Sequence, residues 1–446
     1  MIGLTAESTP LHDATEVADY ARRCFRPAAH DQVGVELEFL VFDRTDAARH
    51  VPMGRARRAL PAELPGGSKV TFEPGGQLEL SGGAGPLTEA VARMTADVRV
   101  VREALRDAGL VLAGVGLDPI RPACRQLDEP RYEAMAQFLG VPYGSLMMCS
   151  TASIQVNLDL GDRPAVRWER AHAFGPVLLA AFANSPLSGG RPCGWMSGRQ
   201  NVWDNLDPTR TLPVPVGDDP AADWAEYLLD ARLMLVREDT DRYRPVRDGS
   251  TFRDWLEGGT ARGGGVLPGD AALRGGGPEG WGGRRPTFED LAYHATTLFP
   301  PVRPRGWLEV RYLDAQHPEV WPVAVAVTQA LITDDRAADA AMAAVEATLD
   351  PSANSGGGSC RAAYREVWER AARCGLADPR LRKAAEVCFR AALEVLPRVG
   401  ADSGLVGAVA AFADRHVTTG RSPAAYLLSP APRHGTPAWL DHGPGD

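Results

Sequence analysis

The sequence predicts an α+β fold built on a mostly antiparallel sheet. Three observations carry that reading: short segments in which apolar and polar residues alternate, longer segments of helical period set among them without a regular βαβ rhythm, and an alanine-rich helical stretch after the last strand. Residues 17–25 repeat apolar side chains with helical spacing and form the first helix. The first strand is 33–43, where Val35, Leu37, Phe39 and Val41 alternate with polar neighbours. Residues 69–73 and 77–81 read as two strands joined by the turn Pro74-Gly75-Gly76. A long amphipathic helix over 87–108 follows, with Asp97, Arg99, Arg102 and Glu103 on its solvated face. Further strands are expected at 111–116, 153–159 and 307–313. From 322 to 396 the period is helical again, broken by a small, glycine-rich connector at 351–359.

Composition narrows the function classes. With 446 residues and 44% hydrophobic content the chain can bury at least one large core. Acidic residues exceed basic ones, for a net charge of −9, and no basic run is interleaved with aromatics, which excludes a nucleic-acid surface. The start of the chain lacks the basic and apolar parts of a signal peptide. No stretch is long and apolar enough to span a bilayer, so no membrane partner is expected and the expected location is cytoplasmic. Seven cysteines are scattered and never spaced as CxxC, so they are expected to be reduced, mostly buried thiols. Residues 258–286 are rich in glycine, proline and arginine, the composition of a mobile surface excursion.

The chemistry lies in the polar faces of the strands. A strand from Val33 to Val41 sets Glu36 and Glu38 on one face, about 7 Å apart. The Pro-Gly-Gly turn folds Glu73 back toward Glu79. In 153–159, Gln155, Asn157 and Asp159 oppose Ile154, Val156 and Leu158. In 307–313, Glu309 and Arg311 oppose Leu308, Val310 and Tyr312. A single such strand reads equally well as an ordinary half-exposed one. Together, however, these faces carry five glutamates, two amides and an arginine, with almost no lysine in the chain. Five like charges on one sheet repel unless cations sit among them, and oxygen donors without His or Cys suit Mg²⁺. No GxxxxGK[ST] loop is present, and the one GxGxxG match, at 275–280, lies in the glycine-rich excursion without a strand before it. Phosphates would then be held by metals and arginines, the candidates being Arg199, Arg210, Arg303 and Arg311.

The segments Glu36-Leu37-Glu38, Glu73-Pro74-Gly75-Gly76-Gln77-Leu78-Glu79, Gln155-Val156-Asn157, Asp207 to Thr211 and Leu308-Glu309-Val310-Arg311 resemble the plant-type glutamate-cysteine ligases. Met147 to Ser153 and Ala183-Asn184-Ser185-Pro186 look like the actinobacterial branch that supplies γ-glutamylcysteine for ergothioneine. The resemblance implies a glutamine-synthetase-like catalytic core over 1–321, whose sheet forms a metal-lined funnel. A helical portion of the same fold (322–428) and a tail (429–446) follow. It implies ATP as co-substrate with Mg²⁺ on Glu36, Glu38, Glu73, Glu79 and Glu309, Gln155 and Asn157 near metal or nucleotide, and Glu309 and Arg311 in catalysis. L-Glutamate and L-cysteine would be the small-molecule substrates. Arg199, Arg210 and Arg303 are candidates for holding glutamate's carboxylate or a phosphate, and Trp203 and Tyr312 for walling the pocket. Other readings stay open: a same-fold carboxylate-amine ligase or guanidino kinase with another acceptor, or a non-catalytic amino-acid-binding relative.

Overall fold

The structure is a computed structural model that describes residues 9–237, 242–258, 284–348 and 360–429. The glycine-rich excursion expected at 258–286, the connector at 351–359 and the tail lie almost entirely outside the described residues. Seven strands form one antiparallel sheet: β1 Val33–Asp43, β2 Lys69–Phe72, β3 Leu78–Ser81, β4 Leu110–Ala113, β5 Ser153–Leu158, β6 Val302–Pro304 and β7 Leu308–Asp314. Their order is β6-β7-β5-β1-β3-β2, with β4 pairing the far half of β1. β4 stops earlier than alternation suggests because the chain beyond it runs against other backbone. A Cβ on Gly114 would stand 1.9 Å from the Gln316 carbonyl oxygen.

Alternation places Val35, Leu37, Phe39, Leu78, Leu80, Ile154, Val156, Leu158, Leu308 and Val310 on one face, each at most 1% exposed. Burying a side chain of this size contributes about 1.5–3 kcal/mol, so this face fixes the register of the whole sheet. Helix α1 (Ala14–Cys24) is capped by the Asp13 carboxylate, and helix α2 (Leu87–Asp107) buries Leu87, Ala90, Met94, Val98, Val101 and Leu105 at three- and four-residue spacing. Asp97, read from the sequence as solvated, is instead fully buried and accepts the Ser68 amide at 2.9 Å, tying the loop before β2 to the helix.

Beyond the sheet, α3 (Pro130–Leu139), α4 (Ser145–Ser150) and α5 (Gly198–Asp204) rise on its polar side. On the apolar side, α6 (Trp321–Thr333) is hydrophobic all round and buries every residue from Val323 to Ile332, as a central helix does. Outside it pack α7 (Asp335–Glu346), α8 (Pro379–Val395) and α9 (Ser403–Phe412), begun by the caps Asp334, Asp378 and Asp402. Phe389 and Phe412 stack at 5.6 Å and both lie against Phe182, so these helices share one core with the sheet.

The six cysteines whose side chains are described are unbridged. Only Cys24 and Cys388 are buried, and Cys124 is exposed, so the thiols are less buried than composition suggests.

Candidate active site

The polar face of the sheet floors a cavity of about 330 Å³. Cross-strand register brings the glutamates together: Glu38 lies directly opposite Glu79, Glu36 opposite Gln155, and Glu309 opposite both Asn157 and Arg303. The turn between β2 and β3 delivers Glu73. Gly76 there has φ +86°, which favours glycine, and a Cβ on Gly75 would stand 2.2 Å from the Cys149 carbonyl oxygen. Gln77 fastens the turn by accepting the Gly75 amide at 3.0 Å and donating to the Thr151 carbonyl at 2.9 Å.

Two electrostatic halves result. In the acidic half, Asn157 Nδ2 donates to Glu36 at 3.0 Å, while Gln155 Nε2 and the Ser153 amide donate to Glu38 at 3.1 and 2.8 Å. Thr71 and Ser81 hydroxyls hold Glu79, each at 2.9 Å. Burial, then the charges of Glu309 and Glu79, push the Glu36 carboxyl up to about 7. Burial with Glu38 and Glu79 pushes Glu73 to about 8, and Glu38 is raised by burial and Glu79. Such carboxylates favour a proton or a cation over standing bare.

In the basic half the sign reverses. Burial alone would raise Glu309, which is 1% exposed, but Arg303, Arg311 and Arg305 outweigh it and hold it well below the usual range. Arg303 Nε donates to Glu309 at 2.6 Å, and Arg305 and Arg311 each donate at 3.0 Å. Three guanidiniums on one carboxylate leave surplus positive charge facing the cavity. Arg311 also donates to Gln155 at 2.6 Å, linking the halves.

Of the residues singled out in the sequence, Glu36, Glu38, Glu73, Glu79, Gln155, Arg199, Trp203, Arg303, Glu309 and Arg311 line the cavity. Asn157 is not among the lining residues; its Oδ1 accepts from Trp307 Nε1 at 3.0 Å, and its amide donates to Glu36. Arg210 corrects an expectation. It is fully buried away from the cavity, spending its donors on Asp207 and on the Thr297 and Arg232 carbonyls, and it lies over the Phe138 ring at 4.3 Å. Tyr312 also faces the core, its hydroxyl donating to the Ala171 carbonyl at 3.2 Å. Missed in the sequence were Arg305 and Arg131, which reach the cavity. Arg305 continues the alternation of Arg303; Arg131, in the first turn of α3, gives no signal.

The donor chemistry of the acidic half, all oxygen, suits a hard divalent cation. As the side chains stand, no three His, Cys, Asp or Glu groups among the described residues are disposed to hold an ion. Among those residues no helix is long and apolar enough to cross a membrane.

The sequence matches glutamate-cysteine ligase family 2 over residues 32–438. The chain belongs to that family. It is 41% identical over 432 residues to a Mycobacterium tuberculosis protein named glutamate-cysteine ligase EgtA, covering 94% of this chain and 90% of that one. A protein of the same name from Mycolicibacterium smegmatis is 44% identical over 381 residues, covering 82% and 80%. Among solved structures, the glutamate-cysteine ligase of Francisella tularensis in complex with AMP aligns with a TM-score of 0.51 at 12% identity, over 92% of this chain and 86% of that one. The shared architecture is the glutamine-synthetase-like one, mixed α and β with a mostly antiparallel sheet.

Proposed function

We propose that this family member joins the γ-carboxylate of L-glutamate to the amine of L-cysteine, cleaving ATP to ADP and phosphate and releasing γ-glutamylcysteine. The observation that supports it most is the division of one sheet face into a cation-seeking acidic half and an anion-seeking arginine half. A carboxylate and a polyphosphate repel each other, and a site that brings them together must supply positive charge from both sides.

In this reading a γ-carboxylate oxygen of glutamate attacks the γ-phosphorus of ATP, ADP leaves, and a γ-glutamyl phosphate forms. The amine of cysteine then attacks the acyl carbon, phosphate departs, and the amine's proton is lost. Arg311 and Arg303, fixed by Glu309, present guanidinium donors to the transferring oxygens, and Arg199 holds a carboxylate or phosphate at the floor. Glu309 acts first as the anchor of those arginines. Gln155 and Asn157 orient Glu38 and Glu36. Trp203, edge-on to Phe299 at 5.6 Å, closes a wall that keeps water from the acyl phosphate.

Mg²⁺ fits the oxygen donors of the acidic half, where Glu36, Glu38, Glu73 and Glu79 would hold it and where it would neutralise the polyphosphate, whereas Glu309, expected from the resemblance as a fifth ligand, is engaged by Arg303, Arg305 and Arg311. From the resemblance to the actinobacterial branch, the dipeptide is assigned to ergothioneine biosynthesis, and the reaction to the cytoplasm. The test is substrate omission: ATP, Mg²⁺ and glutamate with and without cysteine, following phosphate and dipeptide mass. Dipeptide formed in step with phosphate supports the reading. Phosphate without dipeptide points to another amine acceptor, and no turnover with any amine points to a non-catalytic relative.

A further inference from the structure

We propose that Asp314 is a positioning residue for Arg199, acting through two serine hydroxyls that lock the first turn of α5 to the end of β7. The proposal rests on the ligase reading above, in which Arg199 holds a substrate anion, and it gives a role to residues behind the cavity wall.

A bulge creates the arrangement. β7 slips register against β5 between Val310 and Leu313, so that Leu313 lies opposite Ile154 and Asp314 opposite Ser153. Strict alternation from Leu308 would put Asp314 on the apolar face; the bulge re-aims it to the face that carries Glu309. There it is fully buried. Its Oδ2 accepts the Asn184 amide at 2.8 Å and the Ser185 hydroxyl at 2.7 Å, and its Oδ1 accepts the Ser197 hydroxyl at 2.9 Å.

Each hydroxyl passes the connection on to the helix. Ser185 Oγ accepts the Arg199 amide at 3.1 Å, and Ser197 Oγ, the cap of α5, accepts the Gln200 amide at 3.1 Å. Two of the amides that a helix start leaves without partners are thus tied through serine to one carboxylate. Space is held open for this contact. A Cβ on Gly116 would stand 2.6 Å from Asp314 Cγ, and one on Gly198 would stand 2.6 Å from the Ser185 carbonyl oxygen.

Among the described residues no Lys, Arg or His forms a salt bridge with Asp314; the positive charge that acts on it is that of Arg199, which also feels Glu38. The Arg199 guanidinium donates to the Arg311 carbonyl at 2.8 Å and lines the cavity. Asp314 therefore sets where the Arg199 backbone starts and balances the charge its side chain carries. Asparagine cannot replace it. An amide offers one acceptor oxygen, and its NH₂ would face a hydroxyl that needs to donate.

The test is a double-mutant cycle of Asp314→Asn and Arg199→Ala in the full-length protein, reading kcat and KM for glutamate at saturating ATP and Mg²⁺, with thermal unfolding alongside. Asp314→Asn is expected to lower kcat/KM by about ten- to a hundredfold, the scale of a displaced positioning group. In the Arg199→Ala background it should add less than about threefold, because contacting residues are not additive. An equal fold loss in both backgrounds, or no loss in the first, overturns the proposal. Should Asp314→Asn fail to fold, Ser197→Ala takes its place in the cycle, with Ser197→Thr expected to restore activity. A wild type that forms no dipeptide would sink the ligase reading instead, and the same cycle read in glutamate affinity by calorimetry would then judge Asp314.

Discussion

Replacing Glu309 by glutamine is a compact test of the arginine half of the site. The wild-type carboxylate is 1% exposed and accepts from Arg303 at 2.6 Å and from Arg305 and Arg311 at 3.0 Å. Glutamine keeps the shape and one acceptor oxygen but turns an amide NH₂ toward a guanidinium. Arg305 is 43% exposed and can rehydrate; Arg303 and Arg311, at 10% and 15%, cannot. Breaking a buried pair by removing one partner costs about 3–5 kcal/mol, and the exposure of Arg305 places this case near about 3 kcal/mol. The folded carboxyl is held below its usual range. Its contribution is therefore full above the unfolded pKa, about 4.3, and is lost as pH falls through the folded value. Urea unfolding of both proteins in Mg²⁺-free buffer at pH 7 and at progressively lower pH reads this directly. A stability gap at pH 7 that narrows on acidification is expected, and a gap of zero at pH 7, or one that widens, would show that the buried arginines do not depend on the Glu309 charge.

Glu36 and Glu73 are raised to about 7 and about 8, so the folded protein binds protons that the unfolded chain has released, and metal-free stability should fall as pH rises from the usual glutamate range toward 8. Mg²⁺ should offset that fall, and its thermal shift should grow between pH 6 and pH 8 and shrink in Glu73→Gln; a pH-independent shift would place the ion elsewhere. Arg210→Met should lower stability by several kcal/mol, about 1–3 for each carbonyl left unpaired, while the KM for glutamate stays near wild type; a raised KM with intact stability would return Arg210 to the binding site. Tyr312→Phe should cost about 1 kcal/mol, for one lost hydrogen bond to the Ala171 carbonyl, with turnover unchanged.

The strands and their faces were legible because side-chain period two is a local property: β1 spans the same residues in sequence and structure, and Glu36, Glu38, Glu73, Glu79 and Glu309 reach the cavity. What was not legible depends on contacts distant in sequence. Arg210 offers the same guanidinium as Arg303, and only the positions of Thr297 and Arg232 show that its donors are spent. Arg303 gains its role from the pairing of β6, a three-residue strand ending in proline, with Glu309. The bulge in β7 is invisible to alternation and changes the face of Asp314. Asp97 read as solvated because it is charged, yet it caps two loop amides in the core. The Pro-Gly-Gly turn, by contrast, announced itself, since one glycine answers a positive φ and the other a close backbone approach.

If ATP phosphorylates the γ-carboxylate of glutamate on the carboxylate and arginine face of the sheet, one γ-carboxylate oxygen must leave with the phosphate. Glutamate labelled with ¹⁸O in its γ-carboxylate, incubated with the enzyme, ATP, Mg²⁺ and cysteine, tests it most directly. Each dipeptide formed should leave one labelled oxygen in the released inorganic phosphate, and Glu309→Gln should slow label transfer and dipeptide formation together. Dipeptide formed without label in phosphate, or with AMP and pyrophosphate as products, would contradict it.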